Sequence, residues 1–284
     1  MINKDKIQAH WFLIVVIIIA TLIFIFKMFI APNLNYKKAL KLVEAGQYAE
    51  AFELFDSLGD YKDSMKQAET IKMFHSTDLL KLISTGNIVS FGTYEQDNNI
   101  SNGPEDIEWL VLKRESNRIL VISRYILDCN LKDTQYDDVW RRNAYTWEQN
   151  RFRSWLNDIF LKTAFNSSER SSIPTVKVIT EEDGKNSTGT HDKVFFLSTS
   201  EVNQYFIFDA DLECKPTEYA KARGCLPNKY HKTENCTWWL RSHARGSTNS
   251  FITINDNGSI NEGGSWMTSD YIGIRPALWI NLDS

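Results

Sequence analysis

The sequence predicts an α+β protein: one membrane-spanning helix, then a short α-helical hairpin unit, then a larger domain of small antiparallel sheets with helices packed on them. Three observations lead there. An uncharged apolar run, Trp11–Phe26, lies near the N-terminus. Apolar residues recur at helical spacing between residues 36 and 75. From Gly86 onward the pattern changes to short apolar runs separated by polar turns, with helix-start signatures scattered among them.

Behind an N-terminal tail of residues 1–10, the run Trp11–Phe26 extends through Lys27 to Ala31, giving residues 11–31 as a transmembrane helix. About 20 residues suffice to cross the hydrocarbon core. Trp11 suits the interface, Lys27 can snorkel to the headgroups, and Pro32 is expected to help end the helix. A cleaved signal peptide has a shorter apolar region, about 7–15 residues, and a small-residue cleavage site. The following KMFIAPNLN has no A-x-A. Membrane lipid is therefore the first expected partner, through a single pass. Lysines flank the helix on both sides, Lys4 and Lys6 before it and Lys27, Lys37, Lys38 and Lys41 after it, so charge alone leaves its orientation open.

Residues 34–77 read as a helical unit. Leu40, Val43, Ala51, Phe52, Phe55 and Leu58 mark its apolar faces, with helices expected over Tyr36–Ala45, Tyr48–Leu58 and about Tyr61–Phe74. GQYAEAFELF resembles the turn and second helix of a tetratricopeptide repeat. Only about one repeat is visible where about three are needed to stack. This favours a stalk over a peptide-binding solenoid, although residues 36–75 could also recruit a protein partner.

Residues 86–284 form the main domain. Strands are expected at Asn87–Thr93, Ile107–Leu112, Arg118–Ser123, Val194–Leu197, Thr237–Arg241, Phe251–Asn255 and Ile272–Leu282. A helix starts at Thr146, where Thr146-x-x-Gln149 forms a capping box, and buries Phe152, Leu156 and Phe160 with Trp155 beside them. Ser198-x-x-Glu201 caps another through Phe206, and Pro216 opens one that ends at Gly224. Asp256-Asn257-Gly258 marks a hairpin turn. The loops Gln96–Glu105 and Glu181–Asp192 are long and polar, where binding or simple solvation could lie.

Composition and motifs narrow the function. The 36 acidic residues against 32 basic ones, net −4, exclude nucleic acid as the expected partner. There is no G-x-S-x-G, G-x-x-x-x-G-K, G-x-G-x-x-G or H-E-x-x-H, and the acid pairs Glu181-Glu182 and Asp137-Asp138 fall in polar stretches. No catalytic residues, no metal and no cofactor are expected. Cys129, Cys214, Cys225 and Cys236 permit two disulfides of unknown pairing or four buried thiols. Cys225, His231, Cys236 and His243 are spaced too widely and irregularly for an ordinary structural zinc site.

From about Ile88 to Ile280 the chain resembles a bacterial family known as domain of unknown function 6273. The stretches that carry the resemblance include Phe91-Gly92-Thr93-Tyr94, Ile107–Leu112, Tyr125–Cys129, Thr146-Trp147-Glu148, Asp192–Ser198, Cys214-x-Pro216-Thr217-x-Tyr219-Ala220, Trp238–Ser242 and Gly273–Ile280. His243 and Ala244 stand where the family usually has proline and glycine. Trp238–Ser242, Phe251–Gly258 and Ile274–Ala277 resemble, more distantly, bacterial C-type-lectin-like domains. That resemblance implies two small sheets, a long loop region and a ligand surface on loops. Such relatives often lie outside the cytoplasm behind an anchor, which implies an extracytoplasmic C-terminal domain on the cell surface.

Calcium-dependent sugar binding is not expected: the hairpin accounts for Asn255–Gly258, and Leu226-Pro227-Asn228 lacks the acid of a ligand loop. Kinship with sulfatase-modifying oxygenases would need a close cysteine pair near the C-terminus, and no cysteine lies beyond Cys236. What remains is non-enzymatic recognition of a glycan or peptide. Arginine beside aromatics on loops 241–249 and 263–271 offers a platform, so the candidate ligand residues are Trp266, Arg241, Arg245, Asn249 and Tyr271. The competing account puts the aromatics in a core, with Arg241 or Arg275 paired to a buried carboxylate.

Overall fold

The structure, a computed structural model, describes residues 21, 26–75, 84–131, 146–180, 189–227, 233–247 and 250–282. The chain divides into two compact units, Met1–Leu82 and Ile83–Ser284. Most of the expected transmembrane stretch lies outside the described residues. Among those described, no helix is long and apolar enough to cross a membrane.

The first unit holds α1 (Ala31–Glu44), α2 (Tyr48–Leu58) and α3 (Ser64–Phe74). Pro32 lies in the first turn of α1, directly after a π-helical turn, Phe26–Ile30. Ala39, Ala51, Phe55, Ala68 and Ile71 form the core, and small residues on all three helices let the axes approach closely. α3 starts later than Tyr61 because Lys62 takes a left-handed φ of 55°, which a right-handed helix cannot contain. Asp63, at the mouth of α3, accepts a hydrogen bond from the Tyr36 hydroxyl of α1.

The second unit is built on a five-stranded antiparallel sheet of order β1-β2-β3-β10-β6: β1 (Ile88–Tyr94), β2 (Glu105–Arg114), β3 (Arg118–Ser123), β6 (Val194–Phe195) and β10 (Ala277–Asn281). β10 returns from the C-terminus to pair with β3, from Ala277 opposite Ile122 to Asn281 opposite Arg118. β3 is buried along Ile119–Ser123, as a central strand covered on both faces must be. Trp109 of β2 is buried, and its indole donates to the Phe91 carbonyl at 2.7 Å.

α4 (Arg151–Trp155) continues through a π-helical turn, Leu156–Phe160, into α5 (Leu161–Ala164). Phe152, Trp155, Leu156 and Phe160 are all buried, as their spacing predicts. The capping box expected at Thr146 does not form. Thr146 precedes a short 3-10 turn without a side-chain cap, and Asn150 caps α4 by accepting from the Phe152 N–H. α6 (Ser167–Ser172) follows, then β4 (Val176–Val178), which pairs with β5 (Thr190–Asp192). The capping box at Ser198 and Glu201 is present and starts α7 (Thr199–Tyr205). Thr217, not Pro216, is the cap of α8 (Glu218–Ala222).

A second sheet, β7 (Trp238–His243), β8 (Ser250–Ile254) and β9 (Ile260–Trp266), is antiparallel throughout. Part of the segment read as a glycine-rich loop, Gly263–Trp266, belongs to β9. The strand expected over Ile272–Leu282 is confined to β10 because Pro276 has no N–H for a ladder.

Candidate functional site

The loop from β9 to β10 is held by hydrogen bonds to several other segments. Between Thr253 opposite Asn261 and Phe251 opposite Ser265, β9 carries two more residues than β8. Gly264 makes this bulge possible: its φ is +67°, and a Cβ there would lie 2.7 Å from the Ala244 Cβ and 2.8 Å from the Phe251 carbonyl oxygen. The strand then delivers Trp266 to its end, 69% exposed.

Beyond Trp266 the backbone is pinned repeatedly. The Ser269 N–H donates to the Trp266 carbonyl at 2.8 Å. The Met267 carbonyl accepts from Arg151 at 3.0 Å, and that of Asp270 from the Cys129 thiol at 3.0 Å. Gly273 and Ile274 are bonded to Thr237, Trp239, Leu127 and Asp128. Met267 and Ile272 are buried, while Tyr271, between them in the sequence, stays 63% exposed. Two large aromatic side chains thus stand in solvent on a backbone that has little freedom.

The other sequence candidates separate. Arg241 is 2% exposed, and its guanidinium forms an ion pair with Glu201. The same group donates to the Phe196 carbonyl at 2.7 Å, the Ile179 carbonyl at 3.0 Å and the Thr180 hydroxyl at 3.1 Å. It is an interior post joining β7 to α7, so it is removed from the ligand surface. Arg245 is exposed at the β7–β8 turn, where the Ser247 N–H donates to the Ala244 carbonyl at 3.2 Å. Asn249 lies outside the described residues. Among the described residues no carboxylate pairs with the buried Arg275, which donates to the Ser123 carbonyl at 3.0 Å and lies 4.8 Å from the Trp238 ring centre. Burial pushes its pKa down, against a weaker opposing effect of Cys214. Trp238 and Trp239 are core residues.

β3 through β10, with the pinned loop between β9 and β10, fall within residues 116–282, and the sequence model of the family "Domain of unknown function (DUF6273)" matches that span, more than half of the 284-residue chain. The chain belongs to the DUF6273 family. No curated protein and no solved structure matches it.

The matched DUF6273 span begins later than the resemblance read from the sequence, so β1 and β2 precede it. All four cysteines of the DUF6273 domain are buried thiols. His231 of the imagined zinc set lies outside the described residues. Asn255, considered for calcium, is used by the hairpin itself: its amide donates to the Ser259 hydroxyl at 3.0 Å.

His243, also of that set, packs edge-on against Phe251 at 5.3 Å, with Nε2 buried and without a hydrogen-bond partner among the described residues. Burial holds its pKa below the ordinary 6.5. A depressed histidine stabilises the fold fully above its unfolded pKa, and this contribution is lost as pH falls through the folded value. The urea midpoint of the DUF6273 domain is therefore expected to fall as the pH drops below about 6.5, and His243→Gln to flatten that part of the profile.

One feature went unseen in the sequence. A cleft of about 570 Å³ lies between the β1–β2 loop and α8, lined by six carboxylates, among them Asp97, Glu105 and Glu108, and by Lys215 and Lys221. Both lysines are already paired, with Glu234 at 2.5 Å and Glu218 at 2.6 Å. At its edge Glu95, Asp97 and Glu105 bring carboxylate oxygens within 4.8 Å of one another. Backbone N–H groups of their own loop donate to all three: Asn99 to Glu95 and Asp97, Gln96 to Glu105. Hydrogen bonding from Asn102 holds the Asp97 carboxyl below its usual range. The polar run Gln96–Glu105 was the one available signal, because the opposite wall comes from residues more than a hundred positions later.

Proposed function

We propose that this DUF6273 protein is a non-enzymatic, membrane-anchored recognition module that binds a glycan or peptide through Trp266 and Tyr271. The observation that carries the reading is the loop from Trp266 to Gly273, whose backbone is fixed at Met267, Asp270 and Gly273 while two large aromatics remain in solvent. A preformed surface avoids the ordering cost of binding, and an aromatic ring offers a flat apolar face to a sugar ring or an apolar side chain. Arg245 on the neighbouring turn adds an exposed cation.

A C-type-lectin-like fold is supported by the return of β10 to β3 and by the separate three-stranded sheet that ends in this loop. The apolar run 11–31 supports a membrane tether, and the three-helix unit a tetratricopeptide-like stalk that holds the domain off the surface on the extracytoplasmic side. A binding role in place of an enzymatic one is supported by the commitment of interior charges to structure. Asp128, for example, accepts from the Tyr94 hydroxyl at 2.7 Å and from Arg223 at 2.8 Å. A second reading, an envelope scaffold acting through residues 36–75, is favoured by the exposure of Met65 and Met73 on α3, since flexible thioether side chains suit adaptable contacts.

The test is a screen of detergent-solubilised full-length protein on arrays of bacterial-surface glycans and of peptides, with and without a chelator. The expected result is a ligand whose binding survives chelation and is weakened by Trp266→Ala. Absence of any ligand, together with loss of localisation on deleting 36–75, would favour the scaffold.

A further inference from the structure

The sequence holds two Asn-Gly pairs, Asn102-Gly103 and Asn257-Gly258. In such a pair the asparagine side-chain amide is open to attack by the next backbone nitrogen, because glycine places no Cβ in the way. The fold puts the two pairs in opposite surroundings.

Asn257-Gly258 turns the hairpin between β8 and β9, and its reacting groups are all engaged. The Gly258 N–H donates to the Asn255 carbonyl at 3.0 Å. The Asn257 side-chain oxygen accepts from the Ser259 hydroxyl at 2.7 Å and from the Ser259 N–H at 3.2 Å. Gly258 is also buried against the backbone of Asp209, which closes the space a rearranging turn would need.

Asn102-Gly103 lies in the β1–β2 loop, which supplies one wall of the acidic cleft. Asn102 is exposed, and among the described residues its side-chain oxygen accepts no hydrogen bond and the Gly103 N–H donates none. Gly103 has a φ of +86°, and a Cβ there would meet nothing within 4 Å. The one tie on the reacting groups is the Asn102 amide nitrogen, which donates to the Asp97 carboxylate at 2.8 Å.

We propose that Asn102 is a self-modification site, converted in the folded protein to aspartate or isoaspartate by attack of the Gly103 nitrogen, while Asn257 is protected. The Gly103 nitrogen gives its proton to solvent base and bonds to the Asn102 side-chain carbonyl carbon. The bond from that carbon to Nδ2 breaks, and ammonia leaves with a proton from solvent. Water then opens the resulting five-membered imide at one of its two carbonyls. Opening at the side-chain carbonyl restores the original backbone with an aspartate. Opening at the main-chain carbonyl routes the chain through the side chain, as isoaspartate. One water is consumed and one ammonia released, with no oxidation or reduction.

The product changes the wall of the cleft and little else. A carboxylate replaces the amide that donated to Asp97, so a donor is lost and a like charge gained beside it. The loop ends stay fixed, since Tyr94 pairs with Glu105 across β1 and β2 and the Gln96 N–H holds the Glu105 carboxylate at 2.7 Å. The rim of the cleft thus grows more acidic as the molecule ages, and the step does not reverse.

The test is to incubate the full-length protein in detergent in mildly alkaline buffer, native in one arm and urea-denatured in the other. Samples taken over time are digested at acidic pH and both Asn-Gly peptides quantified by chromatography and mass spectrometry. In urea the two asparagines should convert at similar rates. In the native arm Asn102 should keep nearly its denatured rate, with aspartate and isoaspartate peptides both appearing. Asn257 should be slowed at least about tenfold, the effect of keeping one hydrogen bond of ordinary strength. Asn102→Gln should remove the acidic product from the native arm. Native conversion of Asn257 as fast as that of Asn102, or an Asn102 that stays intact natively while converting in urea, would overturn the proposal. The wild-type time course decides this even if the glutamine variant fails to fold.

Discussion

Glu201→Ala is expected to destabilise the DUF6273 domain by about 3–5 kcal/mol, the range for removing one partner of a buried ion pair. Arg241 is buried at 2% exposure and Glu201 is 25% exposed, so most of the effect comes from stranding the guanidinium. The same carboxylate accepts from the Ser198 N–H at 2.9 Å and closes the capping box of α7, so the variant also loses a cap, worth about 1 kcal/mol. Arg241→Met should be milder, because a partly exposed glutamate can turn to water, while the carbonyls of Ile179 and Phe196 lose a donor. Adding Arg241→Met to Glu201→Ala should recover part of the loss, since no charge is then left buried. Urea midpoints at unchanged m-value measure all three.

Gly258→Ala comes next, at about 2–5 kcal/mol. A Cβ at this position would lie 1.8 Å from the Asp209 carbonyl oxygen and 2.5 Å from its carbon, both backbone atoms that no rotamer change can move. The φ of +82° adds about 1–2 kcal/mol for any residue with a Cβ, and forced repacking about 1–3 kcal/mol more. The displaced segment is the 3-10 turn Asp209–Leu212, whose last carbonyl accepts from the Trp238 indole at 3.0 Å. The near-UV circular dichroism of Trp238 should change along with the melting temperature. Gly246→Ala is the control. Its φ is +76° with open space around it, so only the backbone cost of about 1–2 kcal/mol applies.

The elements that local chemistry determines were legible in the sequence. β3 occupies Arg118–Ser123 as read, because an aliphatic run between polar turns leaves few alternatives. The cap at Ser198 and the buried face of α4 were equally local. β9 was not legible, since Ile260–Trp266 is mostly polar and glycine, with no alternation, and becomes a strand because β8 offers it a partner. At Thr146 the pattern was present, but Asn150 supplied the cap actually used. The candidate site divided in the same way. The glycines before Trp266 pointed to its exposure, although they lie in a strand and not in a loop, whereas the fate of Arg241 depended on Glu201, forty residues upstream, and on two backbone carbonyls that no motif announces. The acidic cleft is a product of tertiary structure, assembled from segments that share no sequence pattern.

The most direct measurement pairs stability with binding in Trp266→Ala, using whichever array ligand the wild-type protein retains. An exposed side chain on a pinned backbone should leave the melting temperature within about 2 °C. As an aromatic anchor it should weaken binding by about 2 kcal/mol, roughly thirtyfold in Kd. A melting temperature that falls as far as that of Glu201→Ala, or binding that does not change, would contradict the assignment of this loop as the ligand surface.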